Sequence, residues 1–290
     1  MKIVTYNIQY GRGKDDRFDL DRIAGEVAGA DLIALQEVER FWTRSGGVDQ
    51  PRAIARHFPE HYWAYGPGVD MHLSGSEPGE AGADRRRQFG NMLLSRAPLL
   101  TVRHHPLPKY GSLGPPMSLQ RSALEAVIAV GAGHVRVYSI HLTHLSSATR
   151  VPQVDALLAV HATAAREGPP ISGSGLAEEW TRDGIPAPMP RDAILLGDFN
   201  MQPDSEEYER IAGPTSPYGG RITNPEGFVD AWVEAGHAID SGPTAEVRGH
   251  PARLDYCFVS AGLKERIRAV RVDAYAIGSD HQPVWIEIDF

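Results

Sequence analysis

The sequence predicts an α/β fold in which two β-sheets pack together and helices cover the outside. Short apolar segments typical of strands recur along the whole 290-residue chain, whereas helical periodicity is confined to a few stretches. Two of those helical stretches stand between buried strands, and such strand–helix–strand units place their strands side by side and parallel. The other strands follow one another without a helix, so we expect mixed sheets.

The first strand–helix–strand unit opens the chain. Residues 2–6 form the first predicted strand, and a polar turn follows it. A helix comes next, because Leu20, Ile23 and Val27 share one face at helical spacing. Residues 31–35 are apolar almost throughout and predict the second, buried strand.

The same unit recurs later in the chain. Residues 135–140 predict a strand, residues 149–166 a helix, and residues 193–196 a second buried strand. Further strands are predicted, in chain order, at residues 62–65, 91–94, 124–130, 254–259, 267–274 and 284–288. Strand patterns on both sides of every irregular stretch belong to one sheet system, so we expect a single domain over residues 1–290.

Two long stretches interrupt the regular pattern. Residues 66–88 are rich in glycine and charge, and residues 168–191 are rich in proline and glycine. Loops of this length are usually functional or disordered. We expect the first to lie at the carboxyl ends of the strands, within a segment 41–88 that shapes a substrate pocket, and the second to lie at the opposite edge. The run Arg85-Arg86-Arg87 is either a phosphate clamp or a solvated charge run.

Composition excludes several classes of protein. With 42% apolar and 23% charged residues, the chain is not wholly disordered. Its longest apolar runs are only a few residues, so no membrane span is predicted, and Met1 is not followed by a signal-peptide pattern. The single cysteine, Cys257, cannot form an internal disulfide and fits a reducing compartment, so we expect a cytoplasmic protein.

The formal net charge of −8 limits the partners. Proteins that bind nucleic acid without sequence specificity usually have a basic excess, so this balance counts against a nucleic-acid coat protein. It does not exclude an enzyme that binds phosphate at one small site, because local charge decides there.

Polar side chains follow four of the predicted strands. Asn7 follows the first strand, Glu37 the second, His141 the strand that ends at residue 140, and Asp198 and Asn200 the strand at residues 194–196. Ligands collect at the carboxyl ends of strands in α/β folds, so these side chains should meet at one edge. Oxygen ligands without a cysteine cluster suit a hard cation such as Mg²⁺ or Mn²⁺.

The end of the chain adds a carboxylate and a histidine. Asp255 lies inside an apolar strand pattern, where a carboxylate is costly to bury unless it is paired. His281, next to Asp280, is the candidate partner. Each of these residues, taken alone, could be an ordinary turn or cap residue. The hypothesis of a functional site therefore depends on their occurring together.

These residues lie in six short motifs: Thr5-Tyr6-Asn7-Ile8, Leu35-Gln36-Glu37-Val38, Ser139-Ile140-His141-Leu142, Gly197-Asp198-Phe199-Asn200, Leu254-Asp255-Tyr256 and Ser279-Asp280-His281. In this order the motifs resemble those of the endonuclease/exonuclease/phosphatase superfamily, and they run from residue 5 to residue 281. The resemblance implies a four-layered α/β sandwich: two mixed β-sheets packed face to face, with helices on the outside. It also implies a hydrolase that cleaves phosphate esters with a divalent cation, Mg²⁺ or Mn²⁺.

The resemblance assigns metal-site residues by position. Glu37 would be the principal metal ligand, and Asn7 and Asp280 would support the metal region.

It also assigns the catalytic residues. Asp198 would orient or deprotonate the attacking water, and Asn200 would hold Asp198 and a phosphate oxygen. His281, oriented by Asp255, would stabilise the charged transition state, while His141 would donate a hydrogen bond to the phosphate or assist the leaving group. Whether the proton of the water goes to Asp198 or to His281 stays open.

Two further residues, Asn91 and Arg121, resemble positions at the start of strands near the site in bacterial relatives. Asn91 would position the substrate phosphate and Arg121 would pair with it. An asparagine at a strand start can equally be a turn residue, so both interpretations stay open.

The resemblance leaves the substrate open. A hydrolase of a small or lipid-derived phosphate ester is favoured, and an endonuclease or exonuclease is the alternative, which the acidic net charge mildly disfavours. A non-catalytic binding protein on the same scaffold is the third interpretation, but it predicts lost ligand residues, and all of them stand here. The sequence does not predict an oligomeric state.

Overall fold

A computed structural model describes residues 1–73, 85–173, 175, 177–182, 184 and 186–290. Within these residues, two six-stranded sheets dominate the architecture. The first sheet has the strand order β13-β14-β1-β2-β4-β3 and consists of β1 (Lys2–Asn7), β2 (Leu32–Arg40), β3 (Tyr62–His72), β4 (Arg86–Ser95), β13 (Ile267–Val272) and β14 (Val284–Ile288). The second has the order β5-β6-β7-β8-β12-β9 and consists of β5 (Leu99–Pro106), β6 (Ser122–Val130), β7 (Gly133–His141), β8 (Ala193–Asp198), β9 (Phe228–Asp230) and β12 (Asp255–Ser260).

The remaining elements lie outside the two sheets. A small hairpin pairs β10 (Ala245–Val247) with β11 (His250–Ala252). The α-helices are α1 (Leu20–Glu26), α2 (Gln50–Ala55), α3 (Ser147–Glu167), α4 (Glu178–Thr181), α5 (Glu206–Ala212) and α6 (Ala231–Glu234). None of the helices in the described residues is long and apolar enough to cross a membrane.

Three apolar clusters give the layer order. Between the sheets, Ile3 and Leu32 of the first sheet pack with Val137 and Leu196 of the second. On the outer face of the first sheet lie the buried residues of α1 and α2, and on the outer face of the second lie those of α3 and α5. The order is therefore helices, sheet, sheet, helices, which confirms the predicted sandwich of two mixed sheets.

Both predicted strand–helix–strand units are present. β1 pairs with β2 in parallel across α1, and β7 pairs with β8 in parallel across α3, whereas the other pairings are antiparallel. Because the parallel strands of each sheet end at one edge, the polar residues at those ends come together between the sheets.

Within the stretch predicted as a loop, residues 66–88, most of the described residues are in strands. β3 extends to His72 and β4 begins at Arg86, so the two ends of the stretch form the arms of one antiparallel hairpin. The sequence did not predict these strand residues, because the glycines and charged residues of the stretch have low strand propensity. Residues 74–84 lie outside the described residues.

The carboxyl-terminal end of the second irregular stretch, residues 168–191, lies at the edge where the sequence predicted it. Arg136, near the start of β7, donates hydrogen bonds to the carbonyl oxygens of Pro190 and Arg191 at 2.8 Å each. These contacts are at the edge opposite the carboxyl ends of the strands. Residues 174, 176, 183 and 185 lie outside the described residues.

Candidate active site

The two sheets are joined by polar contacts directly behind the site. Gln36 on β2 donates a hydrogen bond from Nε2 to Oγ of Ser139 on β7 at 2.9 Å, and Ser139 Oγ donates to the carbonyl oxygen of Leu35 at 3.0 Å. Both side chains are fully buried, so each bond replaces water contacts that were lost on folding. The pair fixes the position of Glu37, the next residue of β2, relative to His141 on the facing sheet.

Glu37 lies in a bulge within β2 and not after the end of the strand. The register between β2 and β4 shifts between Leu35 and Val38, and Glu37 has a φ of 60°, which is rare outside glycine. A bulge re-aims a side chain and is common next to active sites. Here it leaves the Glu37 side chain 20% exposed, with Oε1 3.5 Å from Nδ2 of Asn7 and 4.0 Å from Nε2 of His141.

Gly197 allows β8 to approach β7 closely at the site. Its φ is 148°, and a Cβ at this position would lie 1.9 Å from the carbonyl oxygen of Ile140. Only glycine fits this backbone, which places Asp198, the last residue of β8, beside His141.

Asp198 is the most heavily hydrogen-bonded carboxylate of the site. Its Oδ2 accepts from Nδ2 of Asn7 at 3.0 Å and from Nδ2 of Asn200 at 3.1 Å, and it lies 3.2 Å from Nε2 of His141. Its Oδ1 accepts from the backbone N–H of Asn200 at 2.8 Å. Burial by itself would raise the pKa of Asp198, but the charge of His281 and the hydrogen bonds from His141 and Asn200 hold it well below its usual range. The carboxylate is therefore ionised at neutral pH.

His141 is held as a neutral imidazole. Burial and the neighbouring Arg121 cation lower its pKa to about 4. Nη1 of Arg121 lies 2.9 Å from Nδ1 of His141 and can only donate, so Nδ1 accepts and the proton is on Nε2. The His141 N–H therefore points at Asp198. Nη2 of Arg121 lies 3.3 Å from Nδ1 of His144 in the same manner.

His281 and Asp255 form a buried pair on the other side of Asp198. Nδ1 of His281 lies 2.7 Å from Oδ2 of Asp255, and its Nε2 lies 3.9 Å from Oδ2 of Asp198. Burial would lower the pKa of His281, but the charges of Asp255 and Asp198 raise it to about 10. Burial also acts on Asp255, whose pKa it raises, and both effects of burial oppose the charged form of the pair. We assign the charged form, because His281 faces a carboxylate at each ring nitrogen.

The backbone around His281 is held by polar contacts from distant parts of the chain. Glu26 on α1 accepts hydrogen bonds from the backbone N–H groups of Ile277 and Gly278 at 2.8 and 2.9 Å. Thr244, fully buried, accepts from the backbone N–H of Asp255 at 3.1 Å and from that of Leu254 at 3.0 Å. These contacts fix the strand that carries Asp255 and the loop that carries His281.

Asn91 and Arg121 lie in a narrow cleft beside His141. Nδ2 of Asn91 donates to the carbonyl oxygen of Ser122 at 2.7 Å, whereas its buried Oδ1 has no partner among the residues that are described. Nδ2 of Asn91 therefore holds the start of β6, and a role of Asn91 in positioning the substrate phosphate stays a prediction. Arg121 directs two nitrogens at histidines, so its first effect is to orient His141.

Oxygen donors for a metal ion are gathered around Glu37. Asn7 lies next to its carboxylate, and Asp280, which accepts from Nε2 of Gln9 at 2.8 Å, is close enough for its charge to act on Glu37. Burial, more than any other cause, raises the pKa of Glu37. A cation beside this carboxylate would offset that cost, and an all-oxygen donor set is the type that Mg²⁺ and Mn²⁺ prefer. The residues present therefore fit a hard divalent cation.

A second group also satisfies a simple distance test for metal binding. One ligand atom each of Asp198, Asp255 and His281 lies within 4.8 Å of the others. Nδ1 of His281 is already hydrogen-bonded to Asp255, so this trio is better described as a hydrogen-bonded network than as a complete metal site.

Gln9, His144 and Thr244 belong to this site although the sequence did not single them out as functional. Gln9 follows Asn7 by two residues and His144 follows His141 by three, so proximity in sequence was the available signal. His144 lies in the loop after β7. Thr244 precedes a short hairpin, and no sequence signal connects it to Asp255.

A cavity of about 470 Å³ opens beside His281 and Asp280. Lys14, Glu246 and Gln282 contribute polar groups to its wall, and the rest is mainly proline, alanine and threonine: Pro243, Thr244, Ala245, Pro251 and Ala274. Cavities of this size typically hold a small organic ligand.

Comparison with known proteins identifies the fold and the family. No curated protein matches the chain. Among solved structures, an endonuclease/exonuclease/phosphatase from Beutenbergia cavernae matches with a TM-score of 0.65 at 20% identity, covering 100% of this chain and 72% of that one. A mannosyl-6-phosphatase from Bacteroides thetaiotaomicron matches with a TM-score of 0.64 at 16% identity, covering 100% of both chains. A 3′ phosphatase from Neisseria, bound to a product DNA hairpin, matches with a TM-score of 0.57 at 16% identity over 100% of both chains.

At these identities the solved structures establish a shared fold. The sequence itself matches the model of the Endonuclease/Exonuclease/phosphatase family over residues 4–281, nearly the whole chain. The protein therefore belongs to the endonuclease/exonuclease/phosphatase family.

Proposed function

We propose that the protein is a phosphoesterase that uses Mg²⁺ or Mn²⁺ to hydrolyse a small or lipid-derived phosphate ester. One observation carries the proposal: Oδ2 of Asp198 lies 3.0 Å from Asn7, 3.2 Å from His141 and 3.9 Å from His281. An ionised carboxylate, a neutral histidine and a cationic histidine thus surround one space, with Glu37 on the same side. Hydrolysis of an anionic ester needs such groups, because one must position and deprotonate the water while others offset the negative charge on the phosphate oxygens.

Glu37, Asn7 and Asp280 would hold the cation. When bound, it supplies positive charge that offsets the charge developing on the phosphate oxygens and orients the ester. Asn7 also donates from Nδ2 to Oδ2 of Asp198, so these residues would hold the cation close to that carboxylate.

Asp198 orients the attacking water. Its two oxygens are fixed by donors from Asn7, Asn200 and His141, so the carboxylate cannot rotate freely. A lowered pKa keeps it ionised but makes it a weak base. We therefore assign it first to holding the water and second to accepting its proton as the phosphorus–oxygen bond forms.

His281 stabilises charge. Its raised pKa keeps it cationic at neutral pH, and among the described residues its Nε2 has no hydrogen-bond partner. The Nε2–H group is therefore free to donate to a phosphate oxygen. His141 would donate a hydrogen bond from its Nε2–H group to a phosphate oxygen or to the leaving-group oxygen, with Arg121 holding the ring in that tautomer.

The preference for a small ester has two supports. The cavity beside His281 has a volume of about 470 Å³, which suits a small organic substituent and not a duplex. The net charge of −8 also disfavours a long polyanion. A nuclease is the alternative, because one solved relative of this fold is bound to product DNA.

We also propose that residues 1–290 form one domain and that the protein works in the cytoplasm, where its single buried cysteine, Cys257, would stay reduced.

A substrate panel tests the proposed function. Bis(p-nitrophenyl) phosphate, p-nitrophenyl phosphate and supercoiled plasmid are incubated with the protein in Mg²⁺, in Mn²⁺ and in EDTA, beside the Asp198→Asn variant. We expect metal-dependent release of nitrophenol that the variant lacks, with little nicking of the plasmid. Faster plasmid nicking than ester hydrolysis would favour the nuclease. Failure of every substrate with both metals would contradict the proposal and favour a binding protein.

A further inference from the structure

A row of stacked arginines and aromatic rings lies beyond Glu37, where the active site does not use it. The guanidinium of Arg87 lies over the ring of Trp42, 5.4 Å from its centroid, and that of Arg85 lies over Phe41 at 5.3 Å. We call these four residues the arginine ledge. Trp42 is fixed in turn, because its Nε1 donates to the carbonyl oxygen of Gln88 at 2.8 Å.

The ledge carries positive charge that the described residues do not neutralise. Among the residues that the structure describes, neither Arg85 nor Arg87 has an ion-pair partner, and the buried Nε of Arg87 has no acceptor. Arg40 and Arg44 also stack on Phe41 and Trp42, but each has a carboxylate partner.

Arg86 differs from its two neighbours in the basic run, which stack on aromatic rings and have no described ion-pair partner. It pairs with Asp70 on the neighbouring strand and contacts no aromatic ring among the described residues. Side chains alternate between the two faces of a strand, so Arg86 points away from the face of Arg87. Within the described part of the chain, the triplet therefore contains one arginine with a carboxylate partner and two without.

The ledge is close to the catalytic residues. Phe89 follows Arg87 by two residues and shares its strand face, and its ring contacts that of His141 with centroids 6.3 Å apart. A rise of about 3.4 Å per residue puts Arg87 about 7 Å further along β4 than Phe89. Stacking leaves the N–H groups at the edge of a guanidinium free to bind anionic oxygens.

We propose that Arg85 and Arg87, held on Phe41 and Trp42, form a subsite for a second phosphate group of the substrate, separate from the phosphate that is cleaved. The inference rests on the proposed function, because it assumes that the cleaved phosphate lies between Glu37 and His281. It narrows the substrate class to esters that carry an additional phosphate on the side of the hairpin. That additional phosphate belongs to a short nucleic-acid strand or to a small polyphosphorylated compound.

Binding without turnover tests the subsite directly. The full-length protein, the double variant Arg85→Gln/Arg87→Gln and the matched control Arg86→Gln are titrated in EDTA with two probes. The probes are a fluorescein-labelled oligothymidylate of about 12 nucleotides, followed by anisotropy, and inositol hexakisphosphate, followed by calorimetry. We expect the double variant to bind at least one probe about 10-fold more weakly than the wild type, with Arg86→Gln close to wild type. For the oligonucleotide, the slope of log affinity against log salt should fall by about 2.

The results separate the possible outcomes. Ledge-dependent binding of the oligonucleotide alone identifies a nucleic-acid strand, and that of inositol hexakisphosphate alone identifies a small polyphosphate. Equal affinity of all three proteins, an equal loss in Arg86→Gln, or no binding of either probe by the wild type overturns the proposal. Because EDTA removes turnover, failure of the proposed hydrolase activity would leave this result unchanged. The KM for bis(p-nitrophenyl) phosphate, which has one charge, should not change in the double variant.

Discussion

Replacing Asp255 with asparagine removes one charge from the His281 pair and leaves its shape intact. The carboxylate oxygen lies 2.7 Å from Nδ1 of His281, and both groups are buried. The asparagine carbonyl can still accept the same hydrogen bond, so only the charge assistance is lost. A hydrogen bond to a charged group contributes about 1.5–3 kcal/mol, which corresponds to a fall in kcat/KM of about 10- to 150-fold.

The pH dependence of kcat/KM tests the role of Asp255 more specifically than the rate at one pH. In the wild type the pKa of His281 is raised to about 10, and if His281 acts as a cation, activity is lost only as the pH rises through that value. In Asp255→Asn the pKa should fall towards the ordinary histidine value of about 6.5, and the alkaline limb should move with it. The free energy of unfolding should depend on pH in the same direction. The stabilisation that the charged His281 contributes is complete below about pH 6.5 and is lost as the pH rises through about 10.

A matched control is available in the same sheet. Asp230 is also buried and also pairs with a cation, Nη1 of Arg253 at 2.7 Å, but it does not contact His281. Asp230→Asn should lower the melting temperature while leaving the alkaline limb of kcat/KM near its wild-type position. The assay is hydrolysis of bis(p-nitrophenyl) phosphate from pH 6 to pH 10. An unchanged rate and an unchanged alkaline limb in Asp255→Asn would refute the reasoning.

Four other substitutions test separate parts of the site. Asp198→Ala and His281→Ala should each lower kcat by at least about 10²-fold at an unchanged fold, checked by circular dichroism, and full turnover by either would refute the assigned roles. Glu37→Gln should raise the Mg²⁺ concentration for half-maximal activity by at least about 10-fold, measured by metal titration, whereas an unchanged requirement would place the cation elsewhere. Gly197→Ala should destabilise the protein by about 2–4 kcal/mol in urea unfolding, because its Cβ would meet the carbonyl oxygen of Ile140. A loss below 1 kcal/mol would contradict that argument.

The sequence predicted those parts of the molecule that depend on local pattern. Asn7 and Asp198 are polar residues at the ends of apolar strands, so periodicity and strand polarity were sufficient to bring them to one edge. Asp255 was recognisable because a carboxylate in an apolar strand needs a partner.

Features that depend on distant contacts could not be predicted in the same way. The bulge at Glu37 depends on pairing with β4, which propensity does not encode. The hydroxyl of Thr244 accepts a hydrogen bond from the backbone N–H of Asp255, and no motif around Thr244 in the sequence indicates this contact. The difference between Arg86 and Arg87 appears only when the strand faces are known, because Trp42 comes from a distant segment.

The most direct test of the account is the position of a divalent cation. Crystals soaked with Mn²⁺ and inorganic phosphate would show the ion by anomalous diffraction. We predict one Mn²⁺ about 2.2 Å from the Glu37 carboxylate, with the phosphate between that ion and Nε2 of His281. A cation bound away from Glu37, with phosphate in contact with neither His281 nor Asp198, would contradict the account.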